Sequence, residues 1–184
     1  MKSILMIVGS LRIASLNRQC AIQIARDLRG QALCTFLDFS DLPYMNEDIE
    51  FPTPQPVDRV RRQVAAANGI WIVSPEYNAS YPGLLKNLID WLSRPVTPNG
   101  PRDSCTIWNV RCAVTSVGGG AHGEHCIAAL QELIPFVGGR LLQQSVGIGY
   151  TREEVTSSIL DFTEDRMARL KSQEQAFLHF LDEE

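Results

Sequence analysis

Three short polar segments carry the residues that could do chemistry, and each follows an apolar run. The first, GSLRIASLN at 9–17, contains Ser10, Arg12, Ser15 and Asn17. A helix beginning near Ser15 would add free backbone N–H groups and the positive end of its dipole. The segment therefore fits a phosphate group. An ordinary N-cap by Ser15 with a solvated Arg12 would explain the same residues.

The second segment, SPEYNASYPG at 74–83, has a proline near each end. The prolines restrict the backbone, and the N–H and C=O groups between them have no regular partners. Those groups could bind a planar heterocycle, on which Tyr77 or Tyr81 could stack. Glu76 could act in catalysis, but the interpretation that we favour is a carboxylate that stabilises the loop.

The third segment, TSVGGGAHG at 115–123, formally matches the dinucleotide motif G-x-G-x-x-G from Gly118 to Gly123. It follows the fourth predicted strand instead of the first, and QQSVG, in the next predicted strand, lacks the acid that would hold a ribose. The first segment likewise lacks the G-K-[ST] of a P-loop. We interpret the glycines as a thin backbone wall that a flat ring can approach closely.

Other chemistries are poorly supported. His122, His125 and Cys126 in HGEHC could bind a metal, but no second cluster completes a four-ligand shell, so no metal is expected. Hydrolysis is disfavoured because the chain has no G-x-S-x-G elbow. In addition, the proline after Ser74 removes the backbone donor expected behind a nucleophile.

The composition is that of a soluble globular protein, with 184 residues, 45% hydrophobic and 21% charged. This length predicts a single domain over 1–184. The net charge of -4 argues against a broad nucleic-acid surface, which needs clustered Lys and Arg. No stretch approaches the roughly 18 apolar residues of a membrane span.

The five cysteines are odd in number and form no C-x-x-C, which predicts reduced thiols in a cytoplasmic protein. The start, MKSILMIVGSLR, superficially resembles a signal peptide. Its apolar run ends at Gly9 and Arg12 follows, so a buried first strand explains it better.

Five continuous apolar runs predict strands covered on both faces, as in parallel sheets. They are Ser3 to Val8, Ala32 to Phe39, Ile70 to Val73, Cys112 to Ser116, and Leu141 to Val146. A weaker run, Thr106 to Val110, could extend the fourth strand or form a short strand before it.

Helical periodicity predicts five helices between and after these strands. Four are Leu16 to Leu28, Val57 to Ala67, Leu84 to Leu92 and Ile127 to Phe136. The last is expected to begin between Arg152 and Ser158 and to end at Leu181, with Ile159 and Phe162 facing inward.

The alternation of strands and helices predicts an α/β fold, a flavodoxin-like three-layer sandwich with a five-stranded parallel sheet in the order 2-1-3-4-5. In that topology the loops after the first, third and fourth strands meet at one edge. The three polar segments would converge there, and FMN is the natural ligand. The longest loop, 41–56, could fold over such a pocket.

With these residues assembled, the sequence resembles the NADPH-dependent FMN reductase family, the flavodoxin-like group that includes chromate, quinone and azo-dye reductases. The resemblance covers roughly Ile4 to Val146. Its motifs are GSLRIASLN, LPYMNEDIE, SPEYNASYPGLLKNLIDWLSRP and TSVGGG, of which the third is the most specific. Tyr81 departs from the family pattern, which often has a smaller aliphatic residue there.

The resemblance implies a set of FMN-binding residues. Those at the phosphate would be Ser10, Arg12, Ser15 and Asn17, and Leu16 would also contact the cofactor. Those lining the isoalloxazine would be Pro75, Glu76, Tyr77 and Asn78, largely through their backbone, with Ser116, Gly118 and Gly119 on the other side. No side chain is expected to be catalytic, because flavin N5 carries the chemistry.

The implied activity is hydride transfer from NADPH or NADH, through flavin N5, to small acceptors such as quinones, azo compounds, free flavin or metal oxyanions. The family also implies a homodimer or homotetramer, here involving the helix that starts at Pro82 and the loop from Leu42 to Glu50. The alternatives are a flavodoxin-like FMN electron carrier and a nucleotide-binding regulatory module without turnover.

Overall fold

Six strands form one parallel sheet in the computed structural model, which describes residues 1–183. The hydrogen-bonded order is β2-β1-β3-β4-β5, and β6 also pairs with β4. This confirms the predicted order 2-1-3-4-5 and the flavodoxin-like fold class. The strands are β1 Lys2–Val8, β2 Ala32–Phe36, β3 Gly69–Ser74, β4 Arg111–Gly118, β5 Arg140–Leu141 and β6 Val146–Gly149.

Helices cover both faces of the sheet and create two apolar cores. Residues of α2, α3 and α4 fill one core, and residues of α1 and α6 fill the other. The three central strands β1, β3 and β4 are buried between them, which explains their unbroken apolar runs. The helices are α1 Leu16–Asp27, α2 Gln55–Ala66, α3 Gly83–Leu92, α4 Glu124–Phe136, α5 Arg152–Ser157 and α6 Glu164–Phe180.

The predicted fifth strand, Leu141 to Val146, is wrong as a continuous element. It is divided into β5 and β6, which pair with successive parts of β4. The side-chain amide of Gln173 on α6 donates to the carbonyls of Val114 (2.8 Å) and Gln144 (3.0 Å). Because this side chain satisfies carbonyls on β4 and in the gap, the ladder can be interrupted there without leaving them unpaired.

The predicted last helix is also two helices. Thr151 and Glu154 form a reciprocal capping box that starts α5, and Ser158 ends α5 in a left-handed conformation with φ 57°. Thr163 then caps α6. Ile159 was expected to face inward but is 64% exposed, because it lies in the connection between the two helices.

Smaller differences concern element ends. The run Thr106 to Val110 forms turns and is not a strand, and β2 ends at Phe36, before the predicted Phe39. All five cysteines are free thiols. Between residues 1 and 183, no helix is both long enough and apolar enough to cross a membrane.

The segment after β2 is attached to α3. Asn87 donates to the carbonyl of Pro43 (2.9 Å) and accepts from the N–H of Met45 (2.7 Å), and the indole of Trp91 also donates to Pro43 (2.8 Å). Glu50 forms a two-pronged ion pair with Arg94. These contacts fix the long loop against α3, on the side of the sheet that carries α2 and α4.

Candidate cofactor site

The three polar segments meet at the carboxyl edge of the sheet, as the topology requires. One cleft of about 110 Å³ is lined by eight of the predicted FMN-binding residues together with Val117, Tyr150 and Val155. The eight are Ser10, Arg12, Ser15, Leu16, Asn17, Pro75, Glu76 and Tyr77. A larger open depression of about 870 Å³ lies beside it, between β6, α5 and α6, but contains none of the predicted residues.

The first segment is organised by its two serines. The Ser15 hydroxyl accepts from the N–H of Arg18 (3.3 Å) and caps α1, and the Ser10 hydroxyl accepts from the N–H of Arg12 (3.3 Å). Both serines are buried. Since the first-turn N–H groups of a helix have no intrahelical partners, those of Leu16 and Asn17 remain suited to an anion.

The side chains of Asn17 and Arg12 have partners within the protein. Asn17 donates to the carbonyl of Val117 (3.1 Å) and accepts from its N–H (3.0 Å), which fastens α1 to β4. Arg12 is exposed, and its Nη2 donates to the hydroxyl of Ser158 (2.6 Å). The Asn17 amide is therefore structural in this arrangement, whereas Arg12 keeps further N–H donors.

The second segment contains a tight two-residue turn. Tyr77 and Ser80 exchange backbone hydrogen bonds of 2.8 and 3.1 Å, and Asn78 and Ala79 between them have φ values of 52° and 57°. Two successive left-handed residues define a type I′ hairpin turn. An alanine there is strained, and such strain concentrates at functional sites. The turn leaves the Tyr77 side chain 52% exposed at the mouth of the cleft.

Glu76 joins the second segment to the third. Its Oε2 accepts from the backbone N–H groups of His125 (3.0 Å) and Cys126 (3.3 Å) in the first turn of α4. A carboxylate at a helix N-terminus satisfies unpaired donors and interacts favourably with the helix dipole. This geometry supports the interpretation of Glu76 as a loop-stabilising carboxylate.

The third segment begins within β4, and its first residues are closely packed. A methyl group on Gly118 would lie 2.6 Å from the nitrogen of Gly123, so only glycine fits at this point of the chain. The Ser116 hydroxyl is fully buried and donates to the carbonyl of Ser74 (2.7 Å). Burial raises the pKa of the nearby Cys126 thiol, which keeps it protonated at neutral pH.

Four predicted residues do not line the cleft itself. Asn78 lies in the turn at the tip of the second segment, and Ser116 is a fully buried residue of β4. Gly118 and Gly119 lie beside Tyr150, whose N–H donates to the carbonyl of Gly118 (3.1 Å). In residues 1–183, no group of three or more His, Cys, Asp or Glu side chains could hold a metal.

Sequence reasoning missed the contribution of the segment after β6. Tyr150 and Val155 line the cleft, and Ser158 contacts Arg12. The signal was present in GIGYT, because a residue that directly follows a strand beside β4 must reach the same carboxyl edge.

Comparison with known proteins identifies the family. The model of the NADPH-dependent FMN reductase family matches residues 2–153. The chain belongs to this family. The matched region contains all three polar segments and the first residues of α5, and it extends slightly beyond the resemblance seen in the motifs.

Curated relatives of this NADPH-dependent FMN reductase family member include quinone reductases. A 2-hydroxy-1,4-benzoquinone reductase from Burkholderia sp is 41% identical over 92 residues, which cover 50% of each chain. An NAD(P)H:quinone oxidoreductase from Solanum tuberosum is 37% identical over 135 residues, covering 70% of this chain and 65% of the relative. The chain thus spans between half and about two thirds of the length of these relatives.

A solved structure confirms the fold of the family member. FerB, a flavoenzyme NAD(P)H:(acceptor) oxidoreductase from Paracoccus denitrificans, superposes with a TM-score of 0.82. The superposition covers 99% of this chain and 98% of FerB, at 24% sequence identity. The similarity therefore extends over α5, most of which lies beyond the family match, and over α6, all of which lies beyond it.

Proposed function

We propose that the protein is an NAD(P)H-dependent FMN reductase that passes electrons to quinones. The observation that carries this proposal is that residues of the first and second segments line the same cleft. The membership of the chain in the NADPH-dependent FMN reductase family supports it. The activity, its substrates and the site residues are proposals that rest on this geometry and on the relatives.

The donor set around the first segment fits the phosphate of FMN. The Ser10 and Ser15 hydroxyls, the Arg12 guanidinium and the first-turn N–H groups of α1 surround one end of the cleft. Arginine and a helix N-terminus both favour a doubly charged phosphate. Glu76, an acid in the lining, is hydrogen-bonded to α4, which offsets its charge locally.

The size of the cleft indicates how FMN would lie. A volume of about 110 Å³ is well below the roughly 300–1,000 Å³ of pockets that enclose a whole ligand. The phosphate end would therefore be enclosed, and the isoalloxazine would lie over the second and third segments. Tyr77, Asn78 and Gly120 are exposed there, and a methyl group on Gly120 would meet no atom within 4 Å.

When bound, FMN supplies hydride acceptance and donation at N5. The backbone groups of the second and third segments would hold the ring, and one ring face would stay accessible to the nicotinamide and then to the acceptor. Glu76 is held by α4, and the buried Cys126 thiol is protonated at neutral pH. Neither side chain needs to transfer a proton in the hydride step.

Quinones are the acceptor class that we favour, because the relatives in potato and Burkholderia sp are named for quinone reduction. Azo compounds, free flavin and metal oxyanions are competing acceptors for the same open ring face. NADPH and NADH are both candidate donors.

We also propose that the protein forms a homodimer or homotetramer through α3 and the segment 42–50. Tyr44 is 86% exposed, although its neighbours are fixed to α3 by Asn87 and Trp91. A rigid segment that presents a large aromatic side chain suits a subunit interface. Sedimentation velocity of the wild type and of Tyr44→Ser tests this arrangement, and an unchanged monomer in both would contradict it.

The experiment that tests the function combines binding and turnover. The purified protein is incubated with excess FMN, dialysed, and examined for retained yellow colour. It is then assayed with NADPH and with NADH across a panel of quinones, azo dyes, free flavin and chromate. Retained FMN and quinone turnover are expected, whereas a protein that stays colourless would contradict every flavin function. A yellow protein without nicotinamide oxidation would favour the electron carrier.

A further inference from the structure

The segment 150–158 contributes to the lining of the cleft and contacts the first polar segment. Tyr150 and Val155 line the cleft, and the Ser158 hydroxyl accepts a 2.6 Å hydrogen bond from Nη2 of Arg12. The guanidinium that is expected to bind phosphate is therefore in contact with a residue 146 positions away in sequence.

Contacts to the central sheet and to α1 hold this segment. The N–H of Tyr150 donates to the carbonyl of Gly118 at 3.1 Å. At the other end, Gln19 on α1 donates to the carbonyl of Ser158 (2.8 Å) and accepts from the N–H of Leu160 (3.0 Å). Leu160 is buried in the core beneath α1. The position of Ser158 is thus determined by α1, the helix whose N-terminus would bind the phosphate.

A buried ion pair also holds the segment from within. The carboxylate of Glu154 accepts from the N–H groups of Thr151 (2.7 Å) and Asp161 (2.8 Å) and is paired with Arg166. Arg166 in turn donates to the carbonyl of Gly149 at the end of β6. Since the side chains of both ionic partners are largely buried, the turn that carries Ser158 is a rigid support.

We propose that Ser158 is a positioning residue that orients Arg12 toward the phosphate of FMN. A guanidinium has five N–H donors, so the bond to Ser158 leaves four for an anion. Without this contact, the exposed Arg12 side chain would lose more conformational entropy when the phosphate binds. That loss would lower the affinity for FMN. The inference rests on the proposed function, because the anion that Arg12 meets is taken to be that of FMN.

The test compares the affinities for FMN and riboflavin, which differ only by the phosphate. Ser158→Gly removes the hydroxyl and suits the left-handed backbone at this position. Thr156→Ala is the matched control, because its hydroxyl donates to the Arg152 carbonyl (2.9 Å) on the exposed side of α5. Fluorescence titrations are made with wild type, S158G, R12A, the S158G/R12A double variant and T156A.

We expect S158G to raise the dissociation constant for FMN by about 2- to 13-fold, the net value of one ordinary hydrogen bond, because Arg12 would lose its positioning contact but keep its charge and its other donors. Its affinity for riboflavin should be unchanged, and T156A should resemble the wild type. In the R12A background, S158G should have no further effect, because the two residues act as one unit.

Three results would overturn the inference. The first is an equal loss of FMN affinity with and without Arg12, which would indicate a general structural role for Ser158. The second is unchanged FMN affinity in S158G, and the third is tighter FMN binding, which would mean that Ser158 competes with phosphate for Arg12. Failure of the wild type to bind FMN would instead contradict the proposed function itself, and this inference with it.

Discussion

The side-chain amide of Asn17 and the backbone of Val117 form two reciprocal hydrogen bonds, of 3.1 and 3.0 Å, between α1 and the end of β4. The pair is buried. It holds the first polar segment against the third through two residues that are 100 positions apart in the sequence. The geometry of the proposed site therefore depends on a side chain that has no need to touch the ligand.

Asn17→Ala should destabilise the protein by about 2–4 kcal/mol, because both polar groups of Val117 that bond the amide would lose a buried partner. Urea unfolding measures the change. Gln23→Ala is the control on the same helix, since its side chain donates to the exposed Asp27 (2.9 Å) and is far from the third segment in the fold. A loss no greater than that of the control would show that Asn17 does not hold the two segments together.

Arg12→Ala should weaken FMN binding by about 1.5–3 kcal/mol, the value of a hydrogen bond to a charged group. The effect should shrink as salt concentration rises, because the arginine is exposed. Equilibrium titration with FMN at low and high salt tests this. Arg18→Ala removes an exposed arginine from the first turn of α1 and should leave the affinity nearly unchanged. Unaltered affinity in R12A would remove Arg12 from the site.

Glu154→Gln should destabilise the protein by about 3 kcal/mol near neutral pH. The hydrogen bond from Arg166, helped by the backbone N–H groups of Thr151 and Asp161, lowers the pKa of Glu154 to about 2. A lowered carboxyl pKa gives stability that is full above the ordinary pKa of 4.5 and is lost as pH falls toward 2.

The difference between wild type and E154Q in the free energy of unfolding should therefore be smaller at about pH 3 than at about pH 7. Glu153→Gln, an exposed neighbour, should show no such change. A gap of equal size at both pH values would contradict the ionic role assigned to Glu154.

Glu174→Gln should have the opposite pH dependence. Burial, and secondarily the charge of Asp27, raise the pKa of Glu174 to about 7, and its Oε1 has no hydrogen-bond partner among the described residues. The folded state then binds the proton more tightly than the unfolded state. Stability from this group is therefore full below about pH 4.5 and declines as pH rises to about 7.

The E174Q variant should be more stable than wild type by about 1–3 kcal/mol near pH 8 and equal to it near pH 4. Thermal unfolding across this range measures the gap. Glu132→Gln, on the exposed side of α4, is the control. A destabilised E174Q at high pH would show that the buried carboxylate has an unseen stabilising partner.

The sheet and the convergence of the three polar segments were predictable from the sequence, because continuous apolar runs and parallel topology are local and general signals. The divided fifth strand was not, since it depends on Gln173 inserting from α6 at Val114 and Gln144. Nothing in the run from 141 to 146 indicates that a side chain about thirty positions away takes part.

The division of the last helix could have been found. TREE at 151–154 and TEDR at 163–166 each place a threonine before acidic residues, which is the signature of a helix start. The structural role of Asn17 is different in kind. An asparagine in a polar segment fits an anion or a backbone pair equally well, and only the tertiary contact with Val117 shows which partner its side chain has.

The proposed function requires that this chain carry FMN and reduce it with a nicotinamide nucleotide for delivery to a quinone. The most direct measurement mixes the FMN-loaded protein anaerobically with NADPH or NADH, follows the flavin absorbance, and then adds a benzoquinone. We expect at least one nucleotide to bleach the flavin and the added quinone to restore its colour in full. A flavin that stays oxidised with both nucleotides would contradict the proposed function.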